Sequence, residues 1–189
     1  MQTERKTEKL NTGIPELPSE EINLVLIGMP GCGKTTLGKL AAEELGRPFL
    51  SLDSAVAERF GPIEEIITGE GEERFRDLES SAILENAHLR GHVIATGGGA
   101  VLRPENMEAL RESSLFIWIK RPLSLLETEG RPLSKGPKAL EKLLEKRLPL
   151  YGFWADASIV NEGDPKEAAE ALVSAFKELT KPSPVPRSH

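Results

Sequence analysis

Apolar positions along this chain fall into short dense runs that alternate with longer stretches of helical spacing. Ile22, Leu24, Val25, Leu26 and Ile27 form the first run, the mark of a strand buried on both faces. Thr36, Leu37, Leu40, Ala41 and Leu45 then recur at helical spacing until Gly46, Arg47 and Pro48 break the pattern. Residues 49–52 read as a second strand ending at Asp53, followed by a helix over 55–60 that stops at Gly61 and Pro62. Ile63, Ile66 and Ile67 mark a short helix closed by Gly69, and residues 72–89 keep one apolar face through Phe75, Leu78, Ala82, Ile83 and Ala87. Val93, Ile94 and Ala95 make a third strand that runs into Gly97, Gly98 and Gly99. A helix over 105–111 behind Pro104 leads to a fourth strand, 115–119, too apolar to be half exposed. Leu123, Leu125 and Leu126 give a short helix, residues 129–137 a polar loop, and 138–147 another helix. Residues 157–160 are the last strand, and Pro165 opens a closing helix carried by Ala168, Leu172, Val173 and Phe176. Strands alternating with helices, mostly apolar on both faces, predict a parallel sheet covered on both sides.

The junction between the first strand and its helix carries the chemistry. Residues 28–35 read Gly-Met-Pro-Gly-Cys-Gly-Lys-Thr, the spacing of a phosphate loop. Backbone N–H groups in such a turn converge on phosphate oxygens, and the helix dipole adds positive potential. Gly31, Cys32, Gly33, Lys34, Thr35 and Thr36 are therefore expected to bind a nucleotide, with Lys34 on the outer phosphates and the Thr35 hydroxyl on Mg2+. Cys32 is either a small filler or a thiol made reactive by the helix start.

Composition narrows the class. The chain has 189 residues, enough for one domain with a substantial core, and a net charge of −6 that attracts neither nucleic acid nor an anionic membrane. No apolar run is long enough to span a bilayer, and the first ten residues are too polar for a signal peptide. One cysteine permits no internal disulfide, which points to a reducing cytoplasm. The expected organisation is a mobile leader over 1–20, one domain over 21–180 with a lid near 128–137, and a flexible tail over 181–189. Neither end shows a coiled-coil repeat, so a monomer is expected.

A phosphate loop alone does not separate kinases from GTPases and motors. The strand at 93–95 runs into glycines and the strand at 115–119 into Lys120 and Arg121, so neither ends in the acid that motors use for magnesium. The available acid is Asp53, at the end of the second strand, where open α/β sheets bind ligands. It could take a proton from an attacking hydroxyl, or simply cap the helix that follows.

Four further blocks stand behind the loop: Gly71, Glu72, Phe75 and Arg76 with Glu79; Gly97, Gly98 and Gly99; Arg131, Pro132 and Leu133; and Arg147, Pro149, Leu150 and Tyr151 followed by Ala155 and Asp156. With these blocks in order, the sequence resembles the shikimate kinase family from Ile22 to Phe176. The resemblance implies an α/β, three-layer P-loop kinase fold with a central parallel five-stranded sheet and a short lid. It also implies transfer of the γ-phosphoryl of ATP to the 3-hydroxyl of shikimate, with Mg2+. Asp53, Lys34 and Arg131 would be catalytic, and Arg131 would close over ATP from the lid. Asp53, Arg76, Gly97, Gly98, Gly99 and Arg147 would hold shikimate, the two arginines gripping its carboxylate. Glu79, one turn from Arg76, would orient that arginine. The alternatives are a kinase for another hydroxy acid such as gluconate, a nucleoside monophosphate kinase, or a nucleotide binder without chemistry. For Arg76 and Arg147 the alternative is a solvated helix face.

Two positions depart from the family. Ser51 stands where a second acid is usual; strand alternation would put it on the face of Asp53, leaving less protein charge for magnesium. The segment before Arg131 is acidic, with Glu127 and Glu129, where a basic residue usually packs on adenine; the loop over 161–165 is then expected to take that contact.

Overall fold

The computed structural model describes residues 8–9, 15, 17–126 and 137–181. Five parallel strands form its centre: β2 (Asn23–Ile27), β3 (Phe49–Ser51), β4 (Val93–Ala95), β5 (Ser114–Lys120) and β6 (Ala157–Val160). A two-residue strand, β1 (Glu8–Lys9), lies antiparallel on the outer edge of β6, giving the order β1-β6-β5-β2-β4-β3. The predicted parallel five-stranded sheet is therefore present, with that short antiparallel edge added. β2 sits between β4 and β5, with Leu24 opposite both Val93 and Leu115 and Val25 opposite Ile94 and Phe116. All five residues of β2 are buried, as a strand covered on both faces requires.

Seven α-helices among the described residues cover the sheet: α1 (Lys34–Leu45), α2 (Leu52–Phe60), α3 (Ile63–Glu70), α4 (Glu72–Asn86), α5 (Pro104–Arg111), α6 (Pro137–Trp154) and α7 (Pro165–Leu179). α1 ends at Gly46, whose φ of 63° only glycine adopts cheaply. α7 begins where Asp164 accepts a hydrogen bond from the Lys166 amide at 2.9 Å, with Pro165 as first residue. Leu24, Leu26, Ile27, Leu37, Ile94, Phe116 and Leu172 are fully buried between the layers. At the back of the sheet Asp156 accepts from the Phe116 amide at 2.7 Å and from Arg111 Nη1 at 2.6 Å, tying α5, β5 and β6 together.

Three boundaries differ from the sequence reading. The second strand stops at Ser51, whose hydroxyl accepts from the Ser54 amide at 3.3 Å and so starts α2 at Leu52. Asp53 thus lies in the first turn of a helix, and strand alternation does not relate it to Ser51. Gly69 falls inside α3, and Gly71, with φ of 93°, ends it. α6 runs past the predicted end at 147 through Pro149 to Trp154. Pro149 costs a backbone bond to residue 145, but both residues are exposed and water can serve the freed carbonyl. The leader, the lid with Arg131 and the tail fall mainly outside the described residues.

Candidate active site

The phosphate loop occupies the carboxyl end of β2, where the strand order reverses and ligands bind in open α/β sheets. Gly33, with φ of 98°, turns the chain into α1 in a conformation that a side chain would strain. Lys34 is buried, and its Nζ donates to the carbonyls of Gly28 and Met29 at 2.9 and 3.0 Å. The ammonium is folded back across its own loop, within reach of the phosphates the loop would cradle. Thr35 and Thr36 are exposed at the helix start, whereas Cys32 is fully buried. Asn161, at the end of β6, donates from Nδ2 to the Cys32 carbonyl at 2.8 Å and braces the loop from behind.

The second half of the site forms on the turn after β4. A side chain on Gly98 would meet Pro30 of the phosphate loop at 2.6 Å, so this turn and that loop lie in contact. One on Gly97 would overlap Glu79 Oε1 and come within 2.7 Å of Asp53 Oδ1, and one on Gly99 would fall within 2.6 Å of the Arg76 guanidinium. Gly97 and Gly99 therefore let α2 and α4 bring Asp53, Arg76 and Glu79 against one stretch of bare backbone. Arg76 is buried; its Nη1 donates to Glu79 Oε2 at 2.6 Å and its Nε and Nη2 to Glu72 Oε1 at 3.3 and 3.1 Å. Arg147, from α6, is also buried, one helical turn before Tyr151, whose hydroxyl lies in its electrostatic reach. That hydroxyl donates in turn to the Gly98 carbonyl at 2.6 Å.

Charge is concentrated here out of reach of water. Burial pushes the Glu79 carboxyl up, and Asp53 adds to the push, while Arg76 and Arg147 pull it back. On Arg76 burial acts downward, but Glu79 and Glu72 outweigh it and raise the guanidinium. Glu79 Oε1 and Arg147 Nε, both buried, have no hydrogen-bond partner among the described residues. Buried donors and acceptors of this kind are costly to leave unpaired, and in a binding site they are the groups a polar ligand can satisfy.

Asp53, Arg76, Gly97, Gly98 and Gly99 are thus brought together next to the phosphate loop, and Arg147 stands one helical turn from the Tyr151 that bonds Gly98. Arg131 lies outside the described residues. Ser51 spends its hydroxyl on capping α2, also accepting from Ser54 Oγ at 3.0 Å. Two residues were not picked out from the letters: Tyr151, noted only as part of a block, and Asn161 as the brace of the phosphate loop. Their roles depend on chain segments distant in sequence, and the one local signal was the four-residue spacing of Arg147 and Tyr151 on a helix.

A family model described as shikimate kinase matches residues 30–177. The chain belongs to the shikimate kinase family. A shikimate kinase of Moorella thermoacetica is 46% identical over 167 residues, covering 84% of this chain and 94% of that protein. One of Thermodesulfovibrio yellowstonii is 38% identical over 168 residues, covering 84% and 96%. Among solved structures, shikimate kinase from Acinetobacter baumannii in complex with shikimate superposes with a TM-score of 0.80 at 31% identity, covering 87% of this chain and 97% of that one. Among the described residues no helix is long and apolar enough to cross a membrane.

Proposed function

We propose that this protein is a shikimate kinase, transferring the γ-phosphoryl group of ATP to the 3-hydroxyl of shikimate. The observation that carries the reading is the convergence of Asp53 and Arg76 on a glycine turn that packs against the phosphate loop, with buried Arg147 one helical turn from the Tyr151 that bonds the same turn. Shikimate is a small carboxylate with three ring hydroxyls. Arg76 and Arg147 offer two buried, permanently charged forks for its carboxylate, and Asp53, in the first turn of α2, lies against Gly97 to meet a hydroxyl. The absence of side chains on Gly97, Gly98 and Gly99 lets Asp53, Glu79, Pro30 and Arg76 close on this turn, which sets the walls of the site.

In the transfer, the acceptor oxygen forms a bond to the γ-phosphorus as the bond from that phosphorus to the leaving ADP oxygen breaks. Asp53 orients the hydroxyl and takes its proton. Lys34 exchanges its carbonyl partners for phosphate oxygens and stabilises the charge that spreads over the transferring group. Arg131, on the lid segment, adds positive charge and helps exclude water. Thr35, exposed at the start of α1, is the residue to hold Mg2+. The nucleotide's own phosphate oxygens would supply further ligands to that ion. When bound, the ion neutralises phosphate charge.

ADP release measured over a panel of shikimate, gluconate and other hydroxy acids tests the acceptor. Release with shikimate alone is expected; release with gluconate but not shikimate would replace the acceptor, and release with none would remove the chemistry. Asp53→Ala is expected to lower turnover at least about a hundredfold while calorimetric ATP binding is kept. Near-normal turnover in that variant would take Asp53 out of the mechanism.

A further inference from the structure

Tyr151 lies at the junction of the three segments that make the acceptor pocket. Its side chain is fully buried, with the ring stacked on Trp118 of β5 at 5.8 Å between centroids. From there the hydroxyl reaches the Gly98 carbonyl at 2.6 Å, the Met29 sulfur of the phosphate loop at 3.9 Å, and the guanidinium of Arg147 one helical turn back. A phenol has one proton to give and lone pairs to accept with. Arg147 can only donate and the Gly98 carbonyl can only accept, so the hydroxyl gives its proton to the turn and keeps its lone pairs for the arginine.

We infer that Tyr151 is a positioning residue for the acceptor, its hydroxyl fixing the Arg147 guanidinium relative to the glycine turn on which the acceptor ring rests. The inference builds on the shikimate reading above. Three observations carry it. Arg147 is fully buried with its Nε unpartnered among the described residues, and the Tyr151 hydroxyl is the polar group one helical turn along from it. Gly98 is the turn residue that abuts Pro30, so a shift there is felt by acceptor and phosphate loop alike. Burial also pushes the phenol well above its ordinary range, which keeps the proton in place at any working pH.

A guanidinium that grips the acceptor carboxylate does so equally before and during transfer, and loosening it weakens uniform binding. Tyr151→Phe removes the hydroxyl and keeps the ring. The KM for shikimate is expected to rise about tenfold, with kcat within about twofold and ATP affinity by calorimetry unchanged. Circular dichroism melts of both proteins show whether the variant is folded. A shikimate KM within twofold of wild type overturns the inference, and so does a rise in both KM values together with a fall in melting temperature, which is the mark of a merely structural residue. Wild type without shikimate-dependent ADP release would instead overturn the functional reading itself, so the two failures are told apart in one experiment.

Discussion

Adding one methyl group at Gly97 is a sharp test of the site because the backbone there allows it while the neighbours do not. Gly97 is not among the glycines with positive φ, so alanine brings no backbone strain. Its methyl, however, would sit on Glu79 Oε1 and 2.7 Å from Asp53 Oδ1. Ordinary contact between such atoms is about 3.5 Å, so Asp53 must withdraw by close to an ångström and Glu79 by more. Glu79 has little freedom to do so: it is 1% exposed and held by Arg76 at 2.6 Å. Displacement therefore passes to the group that orients the acceptor hydroxyl and, through Glu79, to Arg76. A misplacement of about 1 Å near the reacting atoms costs on the order of a hundredfold in rate, and overpacking costs about 1–3 kcal/mol of stability. Gly97→Ala is thus expected to lower kcat/KM for shikimate about a hundredfold in a coupled ADP assay. ATP binding by calorimetry should hold, because it is Gly98 that touches the phosphate loop. A folded Gly97→Ala protein with kcat/KM within threefold of wild type would refute the placement of Asp53 and Glu79 against this turn.

Other outcomes follow from the same geometry. Ser51→Asp puts a second carboxylate at the carboxyl end of β3, two residues before Asp53, while keeping a good cap for α2, and the half-saturating magnesium concentration should fall about fivefold; an unchanged value would mean that Ser51 has no bearing on the metal. Asp156 is raised from its ordinary 3.8 by burial, against the opposing pull of the Phe116 amide and Arg111. As pH rises from about 4 through the raised folded-state value, the unfolded chain releases this proton first, so stability falls across that window. Asp156→Asn should remove that slope in urea unfolding followed from pH 4 to 7, and an unaltered slope would assign it to other groups.

Much of this protein is written locally. The strand, glycine turn and helix of the phosphate loop are neighbours in sequence, and their chemistry follows from backbone N–H groups and a helix start, whatever the rest of the chain does. Alternating apolar runs likewise require a covered parallel sheet, because strands apolar on both faces must be packed on both. What the letters could not carry is distance between remote segments. Asp53, Arg76, Gly97 and Arg147 meet only because α2, α4, the turn after β4 and α6 fold onto one end of the sheet. Even the setting of Asp53 was decided that way: Leu52 is buried in the core and Ser51 caps it, so the chain turns helical one residue before the acid. The same holds for Tyr151, an aromatic residue of ordinary appearance until packing delivers its hydroxyl to a carbonyl fifty-three positions away. Local sequence sets which backbone conformations are cheap, whereas burial and electrostatics act between whichever groups the fold makes neighbours.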